Sequence, residues 1–243
     1  MLVGGALGGD AQWGLWALAA ALVLVSPSLE GFIVSPGHFV ERHGLPVIVA
    51  LGESVVVIGA GGLRLDAELA FAALLSLALS ATLWWHYFDD EAGVERAMHD
   101  APPERRPLLA LSGFGYWHYG LLLGVVTFSA GLKKALASAS VPLEPWVAGE
   151  LAVGTALFLA SDEGFRRSLG LAASRAGGAA SAAALATIPA GSEVGAAPQL
   201  ALLAAAVAGA IVADRLAHSG QAPSGAPSHA ADTVPRRERT GRA

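Results

Sequence analysis

Hydrophobic and polar positions in this chain are not interleaved, as they are in a half-buried strand or a soluble amphipathic helix; they come in blocks. Long apolar runs, almost free of charge, alternate with short segments that hold most of the ionisable residues. About 18 to 20 such residues, at 1.5 Å of helical rise each, cross a hydrocarbon core roughly 30 Å thick. Seven runs are candidate spans: Ala11–Leu29, Leu45–Gly62 (opened by Pro46 near its first helical turn), Leu69–Phe88, Leu108–Leu132, Pro145–Ala160, Ala176–Ala190 and Val194–Ala213. Length and lack of charge carry these assignments, because periodicity does not separate a span from a buried helix. The expected fold is all-α, a polytopic membrane bundle of about seven transmembrane helices over residues 1–217. Residues 218–243, rich in Pro, Ser, Gly and Arg, read as a disordered cytoplasmic tail.

Composition sharpens this picture. Hydrophobic residues make up 54% of the 243 positions and charged residues 14%, and mean hydropathy is +0.54. The charged share is about half the roughly 25% of soluble domains. With no cysteine, disulfides, thiolate metal sites and a cysteine nucleophile are excluded. The body of the chain holds no basic patch of the size that nucleic acid requires, so the lipid bilayer is the expected partner.

The cations set the orientation. Of the 15 Lys and Arg, seven crossings put 12 on one side and only Arg64, Lys133 and Lys134 on the other. Without the four distal tail arginines the split is 8 to 3. The positive-inside tendency then places the amino terminus outside and the tail in the cytoplasm. If the alanine-rich sixth run did not cross, the split would become 7 to 8 and the bias would vanish. Gly177, Gly178 and Ser181 in that run suit close helix packing instead.

Ionisable residues inside apolar runs mark the candidate chemistry. Glu53 sits about 12 Å into its run, where an ionised acid costs on the order of 3 kcal/mol unless paired, hydrated or protonated. His118 lies about 15 Å into the fourth run by the same rise, so a Glu53–His118 pair relaying a proton or binding a cation is the leading site. The competing account is a buried polar contact that fixes helix register. Secondary polar positions are His38, Glu41 and His43 before the second run, His86 and Asp89 at the end of the third, and Glu150 about 9 Å into the fifth. His38, Glu41 and His43 do not have zincin spacing, and an Arg42–Glu41 interfacial pair is the favoured account there. His86 and Asp89 read as an aromatic-belt anchor followed by a polar loop. No metal site and no cofactor is implied.

The stretches HFVERHGLPVIVALGESVVVIG, LWWHYFDD and YWHYGLLLGVVTFSAGLKKAL resemble the bacterial low temperature requirement protein A family. The likeness covers Trp13 to about Leu136 well and the last spans more loosely. It implies a multipass protein of the bacterial inner (cytoplasmic) membrane. The matching motif residues here are His38, Glu41, Arg42, His43, Gly44, Gly52, Glu53, Ser54, Trp84, Tyr87, Asp89 and His118; the resemblance assigns none of them a catalytic role. Members of that family usually carry further spans before the ERHG segment. The chain therefore looks like a carboxy-terminal portion, a truncated reading frame or a shortened paralogue, with the missing amino-terminal helices or a second copy as partners. Three functions compete, in this order: a proton- or cation-coupled transporter using Glu53 and His118, a non-catalytic membrane stress or scaffold protein, and an enzyme with metal on His38, Glu41 and His43.

Overall fold

The structure is a computed structural model and describes residues 9–25, 35–60, 66–139, 141–172 and 175–219. Among them every regular element is helical. In chain order these are α1 (Gly9–Val25), α2 (Pro36–Ala60), α3 (Ala67–Phe88), α4 (Glu91–Asp100), α5 (Arg106–Ala137), α6 (Pro145–Ser168), α7 (Arg175–Ala186), a short π-helical stretch (Ala190–Val194) and α8 (Ala196–Ser219). Three segments of the described residues are long and apolar enough to cross a membrane: Ala67–Asp100, Arg106–Ala137 and Ala196–Ala217. The ends of the first two expected runs, Arg64 and the tail beyond 219 lie outside the described residues.

Local chemistry sets several boundaries. Asp66 caps α3, its Oδ1 accepting from the Leu69 N–H at 2.7 Å and satisfying a donor that the helix cannot. Pro145 opens α6, where a missing N–H costs nothing, and Gly170 at φ 73° follows its end. Two expectations are corrected here. The stretch after Phe88 is not a polar loop: Glu91–Asp100 forms α4, whose Val94 and Met98, four apart, are buried on one face. Pro46 does not open its helix either, since α2 begins ten residues earlier at Pro36 and carries Pro46 inside it.

Gly113, Gly120, Gly124 and Gly131 of α5 meet Ser168, Ser161, Phe158 and Glu150 of α6, so these two run antiparallel. The approach is backbone on backbone: a Cβ on Gly124 would lie 2.6 Å from the Phe158 nitrogen. Helices α2 and α5 run parallel, with His43 against His118 at one level and Ser54 against Ser129 at another. The small-residue helix α7 packs on α6 and α8, and its Ser181 hydroxyl donates to the Ala156 carbonyl at 2.9 Å. The Gln199 amide of α8 donates to the Ala148 carbonyl of α6 at 2.8 Å.

Two apolar cores result. The larger, around Leu79, Leu121, Phe128, Phe158 and Leu200, fills the middle of the bundle. The smaller, made of Val40, Val94, Met98, Ala110, Phe114, Phe165 and Leu169, sits at the arginine-rich end beneath α4. A layer of polar side chains separates them.

Candidate functional site

That layer is built from four helices. Burial of the Val40, Val47 and Leu51 face of α2 turns His43 inward, half-buried, and its Nδ1–H donates to the Phe39 carbonyl at 2.8 Å. Its ring stands edge-on to His118 of α5, centroids 5.6 Å apart. His118 follows a π-helical stretch, Ala110–Trp117, and is only 3% exposed. Its Nε2 has no hydrogen-bond partner. Such an orphan is costly, and in native proteins it calls for an explanation. Tyr87 of α3 closes the group, its ring 6.0 Å from His118 and within electrostatic reach of Asp162 and Glu91.

One turn of helix away in space lies an ionic network. His86 Nε2 donates to Asp162 Oδ2 at 3.2 Å, and Arg166 Nε donates to the same oxygen at 3.0 Å. Arg166 also reaches Asp90 at 3.6 Å. Asp162 is 2% exposed and lies past the apolar part of α6. Burial alone would raise its carboxyl; the His86 hydrogen bond and the charges of His86 and Arg166 outweigh this and hold it below the usual carboxylate range. Asp89 accepts from Arg215 of α8 at 2.6 Å and from the Trp85 indole at 3.1 Å, which ties α3 to α8. Tyr87 stands near the His118 ring and within electrostatic reach of Asp162, between the histidine pair and the ionic network.

The expected site residues are distributed differently from the sequence reading. Glu53 and His118 are not brought together. Ser54 is level with Ser129, eleven residues beyond the level of His43 and His118, so Glu53 stands about 15 Å further along the bundle. Glu53 faces outward, exposed on α2. His118 therefore belongs to the polar layer at the arginine-rich end, not to the depth of Glu53. His38 and Glu41 are exposed on the first turns of α2, and Glu41 does not pair with Arg42. Among the described residues no three His, Asp or Glu gather as a metal set. Glu150 is remote from the layer: both its oxygens accept from Lys134, at 2.7 and 2.9 Å, and Lys134 lies 4.1 Å from the Trp146 ring centroid. Asp162 and Arg166 were missed in the sequence; their only local signal is opposite charge at i and i+4.

Comparison with known proteins agrees with the motifs. An alignment over 138 residues, with 28% identity, covers 51% of this chain and 33% of an uncharacterized protein of Rhizobium meliloti (strain 1021). The matched stretch thus spans about a third of the length of its curated relative. No solved structure matches the chain. A family model described as bacterial low temperature requirement A protein matches residues 1–213. With that match across most of its length and three segments apolar enough to cross a bilayer, the chain is a membrane protein that belongs to the bacterial low temperature requirement A (LtrA) family.

Proposed function

We propose that this chain is a multipass protein of the bacterial inner membrane that moves a proton or small cation through its polar layer. The seven apolar runs are its crossings, with the arginine-rich end in the cytoplasm. His118 remains the central residue of this reading, but its partners are His43 and Tyr87 rather than Glu53. One observation carries it: a fully buried imidazole nitrogen without a partner, next to a second imidazole and a phenol. A neutral imidazole nitrogen is an acceptor, and one left without a donor is where a proton or cation can land.

Purified protein in vesicles with an entrapped pH indicator tests this. The wild type gives a pH-driven flux, and His118→Phe lowers it about a hundredfold, the scale of losing one proton-transfer group. Absence of wild-type flux, or flux unchanged in a folded His118→Phe variant, overturns the proposal. A scaffold role is the second reading, favoured by the Ser54–Ser129, Lys134–Glu150 and Gln199–Ala148 contacts, each of which ties two helices. Under that reading the same variant changes no flux.

A further inference from the structure

Helix α2 carries two packing seams, and only one is filled. Val40, Gly44, Val47, Leu51 and Ser54 recur at spacings of four and three, and all are buried against the bundle. On another face, Leu45, Val49, Gly52 and Val56 recur with the same rhythm, which is that of helix-on-helix packing. Along this second seam Leu45 is 55%, Val49 73% and Val56 63% exposed, and a Cβ on Gly52 would touch nothing within 4 Å. Glu53 lies beside Gly52, also exposed and without a hydrogen bond or ion pair among the described residues.

We infer that this second seam of α2 pairs with the same seam of a second copy, Gly52 against Gly52 and Glu53 beside Glu53. The inference needs α2 to cross the membrane, as proposed above, but does not need the proton route. Lipid cannot satisfy a carboxyl at this depth, so a protein group must. The cations of the described residues sit at the helix ends, and Lys134, in the last turn of the parallel helix α5, is held by Glu150. A neutral carboxylic acid is both donor and acceptor. It is therefore complementary to itself, and a two-fold axis along the membrane normal brings two Glu53 side chains to one depth. That axis makes the two α2 helices parallel, and the bare Gly52 lets their backbones approach.

The chain has no cysteine, so single cysteines report the pairing cleanly. Val49→Cys, Val56→Cys and, as a control on exposed α5 surface, Val126→Cys are oxidised with copper phenanthroline in native membranes. Disulfide-linked dimers form at Val49→Cys and Val56→Cys, and about tenfold less at Val126→Cys. Adding Glu53→Gln, whose amide also pairs with itself, keeps the cross-link; adding Glu53→Leu reduces it about fivefold. Equal cross-linking at Val126→Cys, or none at the two seam positions, overturns the pairing. Rapid reaction of Val49→Cys with a membrane-impermeant maleimide instead overturns the crossing of α2, and with it the membrane reading on which the pairing stands.

Discussion

At the scale of single residues, a buried charge is tolerated only where its partners meet it, and sequence does not print those partners. Asp162 meets His86, 76 positions earlier, so the run SDEGFRR offered no hint of its depth. Glu150 was legible as a shallow acid, yet its answer, Lys134, lies on the neighbouring helix. Removing one partner of a buried pair costs roughly 3–5 kcal/mol. Asp162→Asn therefore lowers the midpoint of thermal unfolding in detergent by about 10 °C at neutral pH. The pH dependence has a definite sign. Because the folded carboxyl is held below its ordinary value, the stability it lends is complete above about pH 4 and is lost as pH falls further. Thermal scans of wild type and Asp162→Asn consequently converge in acid. His118 behaves differently: its Nε2 has no bond to lose and its ring gives up one hydrogen bond to the His43 backbone, so His118→Phe lowers the midpoint by no more than about 4 °C. A large drop in that scan shows that the ring is a structural group.

At the scale of elements, helices were easy to read and their ends were not. Blocks of apolar residues announce a helix whatever its partners, which is why each of the seven runs coincides with one. Helix α4 escaped because its apolar positions, Val94 and Met98, are thinly spread among charges and matter only once the small core beneath them exists. Pro46 misled because proline is commonest in a first turn, yet here a longer helix encloses it. The glycines of α5 were visible as letters but not as contacts. Gly124→Ala forces the α5 and α6 backbones apart, and overpacking of this kind costs roughly 1–3 kcal/mol. Gly149→Ala, with open space around it, stabilises α6 by about 0.5–1 kcal/mol instead. Chemical unfolding of the two variants in one detergent, compared side by side, checks both signs.

At the scale of the whole molecule, charge asymmetry gave an orientation before any contact was known. Single cysteines test it: Lys133→Cys, exposed at the end of α5, reacts with an impermeant maleimide in intact spheroplasts, whereas Arg105→Cys reacts only after the membrane is opened. The reverse pattern inverts the protein and moves the polar layer to the outer face. The interlocked glycines of α5 and α6 also restrict how that layer can ever be uncovered. Two rods whose main chains touch cannot slide past one another without colliding, nor part without losing those contacts, so they travel as one body. Gly170 and Gly195, the positive-φ glycines among the described residues, stand at the joints where α6 leads to α7 and where α8 begins. Any rocking that admits water then swings the paired rods against their neighbours, with the Gly170 joint as a pivot.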